Sequence, residues 1–292
     1  MKWKKTPIYW EIRGTVYISI PFTWNLPRVK HYVTKSRLFK NFIIGGTALN
    51  LMPDYFNDCP NVKVGKHNPG MLQKFNPLAT RTSLGCIRKC SFCAIGAGKL
   101  EGGGLVELGD WPNLPIICDN NLLACSQQHF DKVLDRLEKH KGVDFNQGLD
   151  ARLLSDYHAQ RFARLKSPRI RLACDDKKSI SQWEQSVETL VVNGVKKSWI
   201  GTYVLIGFNS GPDEAWNRCN HLHKISSLIY PMWYHPLDCL NVHRISEQQK
   251  ELGWNNGERT KIMRNFYQAM RGGYFNGERP PSKGLFKGGN YS

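Results

Sequence analysis

Three cysteines within eight residues constrain this chain more than any other feature. Cys86, Cys90 and Cys93 stand in the run Gly85-Cys86-Ile87-Arg88-Lys89-Cys90-Ser91-Phe92-Cys93, a C-x3-C-x2-C spacing with an aromatic residue just before the last thiol. Three closely spaced thiolates suit an iron–sulfur cluster, which normally takes four cysteine ligands. A cubane held by three protein thiolates keeps one iron open, and an open iron binds a substrate or cofactor. A zinc site usually takes four ligands and often paired C-x2-C knuckles. No second pair occurs here, and the nearest histidines, His67 and His129, stand at no ligand spacing. An odd total of nine cysteines in 292 residues speaks against a disulfide framework. The plain alternative is three structural cysteines grouped by chance.

The remaining cysteines, Cys59, Cys118, Cys125, Cys174, Cys219 and Cys239, form no second close motif. Cys118 and Cys174 fall in expected core strands, where packing is the default role. Cys239 follows the last expected strand and is a candidate reactive thiol. No apolar run reaches the length of a membrane span, and no signal-type apolar core follows the basic start Met1-Lys2-Trp3-Lys4-Lys5. The expectation is a cytoplasmic protein with no membrane partner, in a compartment that keeps thiols reduced.

The formal net charge is +17, and its distribution matters: residues 1–80 carry +9, residues 81–240 carry +3 and residues 241–292 carry +5. The excess therefore lies at the two ends. Folded beside one face, they would make a positive rim for a polyanion; the alternative is charge that only keeps the protein soluble.

Local patterns set the expected fold. Residues 15–20 read as a strand, 27–35 as a helix, 42–44 as a short strand and 47–55 as a helix capped by Thr47, a small βαβα unit. From residue 78 strand and helix alternate. Strands are expected at 78–84, 114–118, from 143, at 169–174, 199–207 and 228–234. Helices are expected at 128–141, 155–166, 179–192 and 212–224; Phe130, Val133, Leu134 and Leu137 recur at helical spacing in the first of them. Six βα units in series imply a parallel sheet with right-handed crossovers.

The cysteine spacing resembles the cluster motif of the radical S-adenosylmethionine (SAM) superfamily, and six βα units agree in number with that family's core. The resemblance covers roughly residues 78–240. It implies an α/β fold: an open (β/α)6 partial TIM barrel with a small N-terminal βα appendage and a C-terminal extension. The division is 1–77 for the N-terminal region, 78–240 for the radical SAM core and 241–292 for a basic, aromatic extension. The N-terminal unit is similar to a shortened cobalamin-binding-like domain, but no Asp-x-His-x-x-Gly motif occurs, so no cobalamin is expected. The implied cofactors are a [4Fe-4S] cluster on Cys86, Cys90 and Cys93, and SAM, chelated by the open iron. An electron donor such as flavodoxin or ferredoxin would reduce the cluster. SAM would then be cleaved to methionine and a 5′-deoxyadenosyl radical that abstracts hydrogen from substrate.

In a parallel barrel the site lies at the C-terminal ends of the strands, which selects the other candidates. Asp119-Asn120-Asn121 follows strand two, where many relatives of this type carry a Gly-Gly-Glu-like stretch for the SAM amino group. That stretch is absent here, so Asp119 and Asn120 are expected to stand in, and Gly102-Gly103-Gly104, which precedes the strand, reads as a loop. Arg152, after strand three, stands where similar proteins pair an arginine with the SAM carboxylate; the alternative is an ion pair with Asp150 or Asp156. Asp175, after strand four, is a candidate acceptor for ribose hydroxyls, or else part of a helix-end acid pair with Asp176. Gly207 lies in Ile206-Gly207-Phe208, which resembles an "I-x-G-F-P-G-E-T" stretch whose backbone packs on adenine. Tyr234 and His235 follow strand six and face either the mouth or the core.

The substrate is not written in these motifs. A nucleic acid or nucleotide fits the basic ends and the aromatic residues Trp254, Tyr267, Tyr274 and Phe275, which are candidates for base stacking. A small metabolite or peptide is the second class. A SAM- or cluster-binding protein without radical turnover, such as a sensor, is the third.

Overall fold

The computed structural model describes residues 3–38, 41–65, 70–226 and 228–271. Its first sheet begins with a tight reversal. Arg13 and Gly14, both at positive φ, turn the chain between β1 (Ile8–Ile12) and β2 (Thr15–Ser19), which pair antiparallel. β1 has no fully buried side chain, so it lacks the apolar alternation that marks β2. α1 (Leu26–Lys35) carries the chain to β3 (Asn41–Gly45), and α2 (Thr47–Leu51) leads on toward β4 (Val62–Val64). The sheet order is β1-β2-β3-β4, with the last three parallel. Leu26, Val29 and Val33 of α1 join Val16, Ile18, Phe42 and Ile44 in a core of their own. The helix expected to reach Tyr55 breaks after Leu51, and a 3-10 turn, Pro53–Phe56, follows. Pro53 has no N–H to continue the helical ladder.

α3 (Met71–Phe75) leads into the second part of the chain, where the six expected strand regions all form. They contain β5 (Ala79–Thr80), β8 (Ile116–Ile117), β9 (Asp144–Phe145), β10 (Ile170–Ala173), β11 (Ile200–Ile206) and β12 (Leu228–Trp233), with β6 (Ser83–Cys86) and β7 (Gly104–Glu107) inserted after the first. β5-β8-β9 and β10-β11-β12 are parallel three-stranded sheets, and single parallel bridges, Asp144 to Arg169 and Leu149 to Leu172, join β9 to β10. The six strands therefore lie side by side in chain order. α4 (Gln127–Leu137), α5 (Asp156–Ala163), α6 (Ile180–Val192) and α7 (Pro212–Ile225) fill the last four crossovers. Side-chain caps start two of them: Ser126 accepts from the His129 N–H, and Ser155 forms a capping box with His158.

The strand expected at 78–84 is split. After Thr80 the chain leaves the parallel sheet and pairs antiparallel with β7. The Asp119 carboxylate takes the N–H groups of Thr82 (2.6 Å) and Ser83 (3.2 Å), satisfying donors at the point of departure.

β11 and β12 are buried on one side only. Ile200, Val204, Ile206, Ile229 and Trp233 share a core with Phe130, Phe162, Trp183 and Leu222 of the helices. On the opposite side Tyr203, Leu205 and Tyr230 are half-open and Met232 is exposed. Here the Arg171 guanidinium lies between the rings of Tyr203 (5.7 Å) and Tyr230 (5.4 Å) and pairs with Asp144 of β9. The helices thus cover one face of the sheet, and a polar, aromatic layer lines the other.

The chain beyond β12 returns to the helical side. α8 (Glu247–Glu251) and α9 (Asn256–Ala269) follow, and Ile245, Trp254, Ile262 and Phe266 are part of the main core. Among the described residues, no helix is long and apolar enough to cross a membrane.

Candidate functional site

The β6–β7 hairpin holds out the cysteine loop, with Cys86 at the end of β6 opposite Gly104. The loop is wound tightly: the Cys93 N–H donates to the Cys90 carbonyl (3.1 Å) and the Ala97 N–H to the Cys93 carbonyl (2.8 Å). Gly96 is needed for this path, because a Cβ there would lie 2.5 Å from the Cys90 nitrogen and 2.7 Å from its carbonyl oxygen. Cys86, Cys90 and Cys93 are free and partly exposed. Two N–H groups aim at the Cys86 sulfur, from the Arg88 backbone (3.4 Å) and from Asn121 Nδ2 (3.7 Å). Asn121 is buried, and its Oδ1 has no partner.

Charges from two other strand ends reach this loop. Burial pushes the Cys90 thiol up, the Arg152 guanidinium opposes that shift, and Cys93, Asp175 and Cys86 add to it. The loops after β9 and β10 therefore share the electrostatic environment of Cys90.

Arg152 is engaged by its neighbour. Its Nε donates to Asp150 Oδ1 (2.6 Å) and its Nη2 to Oδ2 (3.1 Å), the fork geometry of a bidentate pair. Asp150 also accepts from Arg88 Nε (2.8 Å), and Arg88 lies between the first two cysteines. The Asp150 carboxylate is 8% exposed. Its burial alone would lift its pKa, but the two arginines outweigh that and hold it below the usual range. Arg88–Asp150–Arg152 is thus a clamp between the cysteine loop and the segment after β9. Sequence reasoning missed Arg88, whose only signal was a cation inside the motif.

Asp175 has no hydrogen bond or ion pair among the described residues. Burial lifts its carboxyl to about 6, with Arg218 opposing and Asp176 adding to the rise. The expected acid pair is divided in role: Asp176 caps the next turn, accepting from the Ser179 N–H (2.9 Å) and hydroxyl (2.8 Å), and Asp175 is left available.

Asp119 and Asn120 point to different partners. Asp119 is 3% exposed, and both its oxygens are taken by Thr82 and Ser83, including a short bond from the Thr82 hydroxyl. Asn120 Nδ2 donates to Glu101 (2.7 Å). Glu101 also accepts the Gly85 N–H (2.8 Å) and pairs with Arg81. Burial pushes Glu101 up, but Arg81, the Gly85 N–H and Asn120 together hold it below its ordinary value. Glu101, next to the Gly102-Gly103-Gly104 run, is thus returned by the hairpin to the end of β8, a placement that linear order concealed.

Gly207 ends β11 at φ +78, and a Cβ there would lie 2.6 Å from the Trp233 ring. Its carbonyl accepts from Gln249 Nε2 (2.9 Å). The adjacent Phe208 ring meets Phe92 of the cysteine loop (5.5 Å between centroids) and Tyr234 (4.9 Å), both edge to face. His235 packs on Trp24 of the N-terminal unit (5.0 Å), and Thr23 Oγ1 donates to the Cys239 carbonyl (2.6 Å). Aromatic contacts thus run from the cysteine loop to the end of β12, where the N-terminal unit docks.

Trp254 is corrected as a base-stacking candidate. It is 2% exposed, and its Nε1 donates to the Ser210 carbonyl (2.7 Å). Tyr267 is half-buried, with its hydroxyl donating to the Pro231 carbonyl (3.3 Å). Tyr274, Phe275 and His67 lie outside the described residues.

Among the described residues no three His, Cys, Asp or Glu side chains stand together as ligands of a single metal ion. A cubane makes a different demand, since each thiolate binds its own iron and the sulfurs stand apart. Cys86, Cys90 and Cys93 are three free thiols of one loop, and two N–H donors aim at the Cys86 sulfur. No family model, curated protein or solved structure matches this chain.

Proposed function

We propose that this chain is a radical SAM enzyme whose [4Fe-4S] cluster rests on Cys86, Cys90 and Cys93. The observation that carries the reading is the cysteine loop itself, three free thiols of which Cys90 lies within the electrostatic reach of Arg152 and Asp175. When bound, the cluster supplies the electron that cleaves SAM and so generates the radical for hydrogen abstraction. The protein's own tasks are to hold ligands and exclude water. Arg152 offers a guanidinium to a carboxylate, at the expense of part of its pairing with Asp150. Asp175 offers a carboxylate without a partner to ribose hydroxyls. Gly207 and Phe208 offer backbone and an aromatic edge beside Phe92.

Six parallel strands in chain order, with helices on one face, support an open (β/α)6 partial barrel for residues 78–240, with 1–77 and 241–292 as flanking regions. Nine free cysteines suit a reducing cytoplasm. The electron donor would be a protein such as flavodoxin or ferredoxin. As substrate we favour a nucleic acid or nucleotide. The N-terminal residues 1–80 carry +9, and that region docks beside the end of β12 through Thr23 and Trp24. One observation favours a cluster- or SAM-binding protein without turnover: Asp119, Asn120 and Glu101 are already engaged with each other's neighbourhoods, which leaves the SAM amino group without an evident acceptor. A small metabolite or peptide remains the other enzymatic reading.

The test is anaerobic reconstitution with iron and sulfide, then SAM and reductant, with 5′-deoxyadenosine quantified in the presence of DNA, RNA or nucleotide pools. Production that rises with one pool supports the reading and names the substrate class. Production indifferent to every pool keeps the chemistry and moves the substrate to a small molecule or peptide. SAM binding without cleavage by an intact cluster would overturn the enzyme assignment.

A further inference from the structure

Beyond β12 the Arg259 guanidinium stands near the His235 and His243 imidazoles without a carboxylate partner among the described residues. Arg259, in the first turn of α9, lies over the Trp233 ring (5.1 Å from guanidinium carbon to centroid) and donates to the Val242 carbonyl (3.1 Å). It has no carboxylate partner among the described residues. Burial lowers its pKa, and the one group acting against that is the Cys239 thiol. His235 is partly buried, and Arg259 and His243 both act on it. The adjacent acid, Asp238, acts on Tyr234 and not on Arg259. A partly buried cation with no anion is costly, and such groups concentrate at binding sites.

The second observation is aromatic. Phe22 and Trp24 stack in parallel (4.5 Å between centroids, 7° between planes), both half-exposed, and the Trp24 ring stands 5.0 Å from His235. Thr23, between them, is anchored to the Cys239 carbonyl. A π-stack lies against His235, and a guanidinium without a carboxylate partner lies over Trp233, two residues earlier in the chain, which together offer the chemistry that recognises a base and its phosphate. Neither feature needs the cysteine loop.

We propose that Phe22, Trp24, His235 and Arg259 form a nucleotide subsite, with the phosphate held by Arg259 and the base extending the Phe22–Trp24 stack. This deepens the nucleic-acid reading above and rests on it for the substrate class. The subsite would hold one unit of the substrate strand beside the mouth, where the N-terminal unit meets the end of β12.

The probes are uridine 5′-monophosphate, uridine and inorganic phosphate, which avoid adenine and so avoid the SAM pocket. Titration calorimetry of the wild-type protein should show the monophosphate binding about tenfold or more tightly than uridine. Arg259→Gln should reduce the monophosphate to the level of uridine. Trp24→Ala should weaken both by about tenfold. Circular dichroism checks that each variant is folded. If either variant is not, the wild-type His235 and His243 imidazole resonances are followed during phosphate titration, and both should shift. Equal affinity of wild type for monophosphate and nucleoside, an unaltered Arg259→Gln variant, or unmoved imidazole resonances would overturn the subsite. The same titrations on a Cys86→Ser/Cys90→Ser/Cys93→Ser protein separate the two ideas. Binding retained there while SAM cleavage is lost supports a subsite independent of the cluster. SAM cleavage by wild type with no monophosphate binding refutes the subsite and leaves the radical SAM reading standing.

Discussion

Asp150→Asn is the substitution that most directly tests the geometry of the cysteine loop. The wild-type carboxylate is 8% exposed and accepts from Arg88 Nε, Arg152 Nε and Arg152 Nη2 at 2.6–3.1 Å. Hydrogen bonds to charged groups contribute about 1.5–3 kcal/mol each in favourable cases. The partners here are 33% and 49% exposed, so water recovers much of that. The amide keeps one acceptor and presents an NH2 to a guanidinium, so the net loss is about 2 kcal/mol. At roughly 2–4 °C per kcal/mol for a chain of this order, the melting temperature at pH 7 should fall by about 4–8 °C. The pH dependence has a definite sign. The folded pKa of Asp150 is depressed, so its stabilisation is present above the unfolded value of about 3.9 and is lost as pH falls through the folded value. The difference between wild type and variant should therefore shrink as pH is lowered from about 5 toward 3. Arg88 would also lose its anchor, so iron bound per chain after reconstitution should fall with the melting temperature. An Asp150→Asn protein that melts with wild type and loads a full cluster would refute the clamp.

Gly96→Ala should act on the loop and little else. The added methyl meets the Cys90 backbone at 2.5 Å, so iron loading should drop severalfold with the melting temperature nearly unchanged; normal loading would show that the loop takes another path. Burial pushes the thiols of Cys118, Cys174 and Cys219 up to about 12. Iodoacetamide at neutral pH should therefore modify the partly exposed Cys86, Cys93 and Cys239 first, and iron loading should protect Cys86 and Cys93 but not Cys239. Peptide mapping by mass spectrometry gives the order directly. Burial, Arg259 and His243 push His235 down to about 4, against about 6.5 for an unfolded histidine. The unfolded chain then binds a proton that the folded chain refuses, so stability rises with pH across that window. Urea melts at pH 4.5 and 7 should show a smaller rise for His235→Asn than for wild type, and equal rises would remove His235 as the source.

What could be read without coordinates was local. The C-x3-C-x2-C spacing and the βα alternation rest on residues close to one another in the chain, and each has a mechanism acting over one turn or one strand. β1 escaped because its side chains bury no alternating face, and β6 was merged with β5 because nothing local says that Asp119 captures the N–H groups of Thr82 and Ser83. The site depends on longer separations. Arg88 meets Asp150 across 62 residues, Glu101 returns to Asn120 across 19, and Thr23 reaches the Cys239 carbonyl across 216. Trp254 looked like a stacking residue by composition and is a core residue by packing. Periodicity and spacing report the energetics of neighbours in the chain. Which charges face a thiol, which carboxylate is left without a partner and which tryptophan meets water depend on how the strands are laid side by side, and only the tertiary structure decides that.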